Sequence, residues 1–161
     1  MAAAIGGGAA HRLVERAVGS GTTLATAESL TAGLVCASLA DVPGASAVLR
    51  GGVVAYASDL KTALLGVDPE LIARLGPVHE DVAAQMAVGV RHLLGSGLGL
   101  STTGVAGPGP QDGVAAGTAL VAVADANGVR VQRLALDGDR PQVRRATVEA
   151  LLELALGHLN G

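Results

Sequence analysis

Thr118–Leu136 reads TALVAVADANGVRVQRLAL. Two β-prone runs, Thr118 to Ala124 and Val129 to Leu136, flank Asp125-Ala126-Asn127-Gly128, and the Asn-Gly pair is a strong signal for a tight antiparallel hairpin. Elsewhere the chain alternates short apolar runs with helical stretches, the pattern of βαβ units. Together they predict an α/β fold: a three-layer α/β/α sandwich with a mixed, mostly parallel sheet, the hairpin supplying its antiparallel part.

Past the hairpin, Asp139 to Leu159 reads as a long final helix with Val143, Thr147, Ala150, Leu151 and Leu154 facing inward. Before it, Leu98 to Thr103 reads as a strand that ends in the Gly/Pro loop Gly104–Gly113. His79-Glu80-Asp81 opens a helix whose stripe is Val82, Met86, Val90 and Leu93 and which ends near Gly95. Asp68-Pro69-Glu70 starts another, with Asp as cap and Pro at the first helical position, and Gly76-Pro77 stops it. Ser46 to Ala57 is β-like, and its Gly51-Gly52 pair marks a bulge or a close backbone approach. Ser58 or Asp59 caps a short helix through Leu65. Thr22 to Ala27 reads as a short buried strand running into Glu28-Ser29-Leu30-Thr31, followed by the helical LTAGLVCASLA. Residues 11 to 19 form a short amphipathic helix. The expected organisation is a flexible segment over 1–10 and a single domain over 11–161.

Half of the 161 residues are apolar, and only one, Tyr56, is aromatic. The core must therefore be many small Ala, Val and Leu side chains in close contact. A net charge of −3 with scattered arginines leaves no nucleic-acid footprint, and the lack of stacking aromatics argues against single-strand binding. No run of 18 apolar residues or basic-apolar leader is present. A cytoplasmic protein with no membrane partner is expected. Cys36, in an apolar helical run, reads as a buried, inert thiol. The histidines, His11, His79, His92 and His158, lack metal-ligand spacing, so no metal site is expected.

Three features carry possible chemistry. Ser29 sits at a strand-to-helix junction, where either it or Thr31 reads as a helix cap, or Ser29 reads as a nucleophile beside helix N-terminal amides able to hold an oxyanion. The octapeptide VAYASDLK (54–61) holds the only tyrosine and the only lysine of a chain with ten arginines. Lys61 reads as a surface residue or as a general base; arginine cannot serve as such a base because it keeps its proton. Tyr56 reads as the one large core filler or as a proton-sharing partner of Ser29 or Lys61. The loop TGVAGPGP reads as a rigid turn or as a cradle of N–H donors for an anion. It is neither a Walker motif nor a dinucleotide fingerprint.

Taken in order, TLATAESLTAGLV, RGGVVAYASDLKTALLGV, GPVHEDVAAQMAVGV, STTGVAGPGP, AAGTALVAVA and GDRPQVRRATVEALL resemble the C-terminal domain family of the competence-damage protein CinA, which includes stand-alone nicotinamide-nucleotide amidohydrolases. The resemblance spans about His11 to Leu159. It implies hydrolysis of the carboxamide of nicotinamide mononucleotide (NMN) to nicotinic acid mononucleotide and ammonia, with no metal or cofactor, in a homo-oligomer. It places the nucleophile on Ser29 and the other catalytic groups on Tyr56 and Lys61. Substrate binding falls to Thr31 and to Gly104, Ala106 and Gly107 of the loop. Arg140 and Arg144 are assigned to the phosphate or to a partner subunit, with a structural salt bridge near the helix start as the alternative. A non-catalytic nucleotide-binding domain and an amidase for another small amide are the competing functions. The lack of a long N-terminal extension predicts the stand-alone form. The chain departs from the family pattern in carrying Leu30 and Ala32 where Cys and Gly are usual, Ser58-Asp59-Leu60 before the lysine, and Val114-Ala115-Ala116-Gly117 after the loop. Leu134–Asp137 replaces the aromatic residues usual before Gly-Asp-Arg.

Overall fold

The hairpin forms as its turn signal requires: Asp125 Oδ1 accepts the amides of Asn127 (2.7 Å) and Gly128 (2.9 Å), closing the turn between two antiparallel strands. The computed structural model describes residues 7–161. In chain order its elements are α1 (Gly7–Ser20), β1 (Leu24–Glu28), α2 (Leu34–Ala40), β2 (Leu49–Val54), α3 (Ser58–Leu65), α4 (Pro69–Leu75), α5 (Glu80–Leu94), β3 (Leu98–Gly104), β4 (Thr118–Ala124), β5 (Val129–Ala135) and α6 (Arg140–Asn160).

The five strands lie in the order β2-β1-β3-β4-β5. β1 pairs in parallel with both β2 and β3, while β4 is antiparallel to its neighbours β3 and β5. Only β4 therefore runs against the rest, and the sheet is mixed and mostly parallel as expected. The β1–β2 register shifts at Arg50, between the Leu24–Leu49 and Ala25–Gly51 pairs, which is the irregularity read from Gly51-Gly52.

Alternation along β4 feeds both faces of the sheet. Val121 and Val123 join Leu24, Leu98 and Leu100 beneath α1, α2 and α6. Leu120, Ala122 and Ala124 pack on Ala83 and Ala87 of α5, and Ala25 and Ala27 of β1 join Leu65, Leu71 and Met86 of α3, α4 and α5. Three layers result. At one edge, β5 is largely exposed and carries Arg130 and Arg133, charges that discourage strand addition from another chain.

Several local expectations change. α1 begins at Gly7, not residue 11, and buries Ala9 and Ala10; residues 1–6 of the segment expected to be flexible lie outside the described residues. Neither Ser58 nor Asp59 caps α3, whose cap is Ala57 with no side-chain hydrogen bond. Leu93 is exposed on the last turn of α5. Along α6, Val148 and Leu152 are buried where Ala150 and Leu154 are only half-buried, because the helix packs on α1 as well as on the sheet. Cys36 is half-buried rather than enclosed, and burial is the main cause pushing its thiol pKa up.

Candidate active site

The strand order makes β1 the switch point: from it the chain moves to β2 on one side and then crosses to β3 on the other. Open α/β sheets hold ligands in the crevice outside the carboxyl ends of such strands. A cavity of about 290 Å³ lies there. It is lined by Ser29 after β1, Tyr56 and Lys61 after β2, Gly104, Ala106 and Gly107 at and after the end of β3, and Arg140 at the start of α6.

Ser29 and Lys61 form its floor. Lys61 is 1% exposed and Ser29 8%. Lys61 Nζ lies 3.0 Å from Ser29 Oγ, 2.9 Å from the Ala55 carbonyl oxygen and 3.3 Å from that of Tyr56. All three partners are neutral. Burial lowers the Lys61 pKa to about 8, with the nearby Asp59 charge pulling weakly the other way. In the neutral amine, two N–H groups satisfy the two carbonyls and the lone pair faces the Ser29 hydroxyl. That is the geometry of a base.

Tyr56 takes a different place from either expectation. Its ring is 54% exposed rather than core filler, and its Oη accepts from Arg140 Nη2 at 2.8 Å. Its link to Lys61 runs through the backbone carbonyl. Arg140 also donates from Nη1 to the Gly107 carbonyl at 2.8 Å, and no carboxylate pairs with it among the described residues. The salt-bridge alternative for Arg140 gives way to these contacts, which tie α6, the β2–α3 connection and the Gly/Pro loop around one opening.

The loop is shaped by two glycines. A Cβ on Gly104 would stand 2.6 Å from the Thr118 carbonyl oxygen, so β3 can lie this close to β4 only without one. Gly107 holds φ 92, a conformation costly for other residues. Beyond Val105, whose amide bonds Thr118, the amides of Ala106 and Gly107 find no acceptor among the described residues.

Thr31 and Arg144 do not face the cavity. Thr31 is fully buried, with its hydroxyl 2.7 Å from Glu28 Oε1 and 2.8 Å from Thr102 Oγ1. Arg144 donates from Nε to the Leu30 carbonyl (2.8 Å) and from Nη2 to that of Thr31 (3.0 Å), gripping the turn that carries Ser29. Their expected contact with substrate is replaced by support of the backbone. Helix capping by Ser29 or Thr31 is replaced too: the cap of α2 is Gly33, and the amides of Val35 and Cys36 go to the Glu28 carboxylate at 2.8 and 3.0 Å. Those amides are thus occupied and cannot serve an oxyanion. Glu28 escaped the sequence reading; its one signal was a carboxylate ending the apolar run LATA. His79 caps α5 through Nδ1 and does not approach Ser29. Among the described residues no group of three His, Cys, Asp or Glu side chains is placed to hold a metal, and no helix is long and apolar enough to cross a membrane.

An α/β/α domain with a buried serine–lysine pair at the switch point of a 2-1-3-4-5 sheet defines the class of this molecule. The chain belongs to the CinA family: the model of the CinA C-terminal domain matches residues 8–159. A CinA-like protein of Frankia casuarinae is 48% identical over 139 residues, 86% of this chain and 32% of its own length. One from Mycolicibacterium gilvum is 45% identical over 146 residues, 88% of this chain and 34% of its own. The chain spans about a third of the length of these curated relatives. Among solved structures, the competence/damage inducible protein CihA of Agrobacterium tumefaciens superposes with a TM-score of 0.87 at 34% identity, covering 96% of this chain and 97% of that one. The competence or damage-inducible protein of Enterobacter asburiae superposes with a TM-score of 0.92 at 27% identity, covering 98% and 99%.

Proposed function

We propose that the domain hydrolyses the carboxamide of NMN, with Ser29 as nucleophile and Lys61 as its base. The observation that carries this reading is a buried lysine 3.0 Å from a serine hydroxyl, held by neutral acceptors and weakened as a cation to a pKa of about 8. Neutral Lys61 takes the Ser29 proton as Oγ attacks the amide carbon. The resulting ammonium returns that proton to the amide nitrogen, ammonia leaves, and an ester on Ser29 remains. Water then attacks the ester with Lys61 again accepting the proton, and the ammonium passes it to Ser29 Oγ as the carboxylic acid leaves.

Donors for the developing oxyanion come from the cavity wall, where the Ala106 and Gly107 amides stand without protein acceptors. Arg140 supports recognition of an anionic substrate, being the cavity-lining arginine and free of a carboxylate partner among the described residues. Because Arg140 donates to Tyr56 Oη, the phenol keeps its own O–H free to donate a hydrogen bond to the bound substrate. The substrate requires no cofactor, the domain acts in the cytoplasm, and the active form is a homo-oligomer.

Incubation of the purified protein with NMN, reading ammonia and nicotinic acid mononucleotide, tests the reaction. Release abolished by Ser29→Ala supports it. Folded protein at high concentration that releases no ammonia refutes it and favours a binding domain.

A further inference from the structure

The mechanism leaves one buried charged group unused. Glu28 is 1% exposed and directly precedes the nucleophile, yet it does not line the cavity. Four donors surround its carboxylate: Thr31 Oγ1 (2.7 Å) and the Val35 amide (2.8 Å) on Oε1, the Cys36 amide (3.0 Å) and, more weakly, Thr26 Oγ1 (3.4 Å) on Oε2. In all four contacts the carboxylate oxygens accept. That fixes the direction of a chain. Thr31 must donate to Glu28, so its oxygen accepts the Thr102 hydroxyl proton across 2.8 Å. The Ser29 amide bonds the Thr102 carbonyl oxygen at 3.1 Å, and Thr102 Oγ1, its proton committed, accepts the same amide as a second branch at 3.3 Å. The series runs from the Ser29 N–H through Thr102 and Thr31 to Glu28, each hydroxyl oriented by the next.

The turn being held is a demanding one. Ala32 has φ 47 and Gly33 φ 98, and a non-glycine residue in the left-handed region persists only when its surroundings enforce it. A displacement of about 1 Å at a reacting group can lower a rate about 100-fold. We infer that Glu28 is a positioning residue: through Thr31 and Thr102 it fixes the backbone of Ser29 and so the aim of Oγ toward Lys61, in addition to capping α2.

The inference rests on Ser29 being the nucleophile, and its test has one arm that does not need turnover. In ¹⁵N-labelled protein, Glu28→Gln and Thr102→Val, which disturb the hydroxyl branch and leave the carbonyl one, are each expected to speed hydrogen exchange at the Ser29 amide about threefold. Glutamine brings a single accepting oxygen to two pairs of donors that need one each, and valine removes the hydroxyl while keeping its shape. A carboxylate that only capped α2 would, on Glu28→Gln, change exchange at Val35 and Cys36 and leave Ser29 as it was. Thr26→Val, which touches the same carboxylate but lies off the chain, is expected to leave the Ser29 amide unchanged.

The second arm follows phosphonylation of Ser29 by a fluorophosphonate. Glu28→Gln and Thr102→Val should slow the maximal rate about tenfold or more with the probe's binding constant within about twofold, and the double variant should be no slower than the slower single. Should Glu28→Gln fail to fold, Thr102→Val carries both readouts. Wild-type Ser29 exchange in both variants overturns the inference even if the enzyme is active. A wild-type protein inert to both probe and NMN removes the amidohydrolase reading, and the exchange arm then decides the positioning role alone.

Discussion

Two cations share this cavity, and their surroundings differ. Lys61 lies in the floor, 1% exposed, with a hydroxyl and two carbonyls as neighbours and its pKa brought down to about 8. Arg140 stands at the rim, its guanidinium spread between Tyr56 and the Gly107 carbonyl. Burial turns the first into a group able to accept a proton. Guanidinium chemistry keeps the second a permanent charge, suited to holding an anion. The proposed hydrolysis of an anionic amide needs both, and the fold separates them by depth.

The largest effect should come from the floor. Ser29→Ala is expected to lower kcat on NMN by about 10³-fold or more without raising KM, since loss of a nucleophile removes the covalent route. Lys61→Arg should follow with about 10²- to 10⁴-fold, the usual range for a general base; near-normal turnover in Lys61→Arg would break the contrast between the two cations. At the rim, Arg140→Gln should raise KM for NMN about tenfold, or about 1.4 kcal/mol of binding, while kcat changes little. A fall in kcat with KM preserved would instead place Arg140 in the chemistry. The smallest effect is expected for Tyr56→Phe, a few-fold in kcat, because removing the exposed hydroxyl leaves the Ser29–Lys61 contact intact.

Stability carries the same signature. A lysine whose folded pKa is depressed holds fewer protons folded than unfolded between about 8 and its ordinary 10.5. Its penalty is therefore full below pH 8 and fades as pH rises across that window. Thermal scans of the wild type should show stability rising there relative to Lys61→Met.

The parts of this arrangement that were readable in advance are those set by local pattern. The Asn127-Gly128 turn, the Asp68-Pro69 helix start and the alternation along Thr118–Ala124 each follow from short-range chemistry, and together they define the sandwich. The grouping of Ser29 with Lys61 was open to the residues alone, because a single lysine in an arginine-rich chain is also what composition bias produces; only the order of the family's motifs joined them. What pattern did not show is long-range use of polar groups. Glu28 reaches seven and eight residues ahead to the amides of α2, and Arg144 reaches back to carbonyls more than a hundred positions earlier. Neither spacing has a local signature. The same blindness let Ser29 and Thr31 pass for helix caps.

The chain's single lysine offers the most direct test of the central claim, that Lys61 serves Ser29 as a neutral base. Protein labelled with ¹³C and ¹⁵N at lysine alone gives one side-chain resonance, and its pH titration reports the Lys61 pKa without reference to any substrate. A midpoint near 8, moving when Ser29 is replaced by alanine, is the predicted result. A midpoint above 10, the value of a solvated lysine, would contradict it.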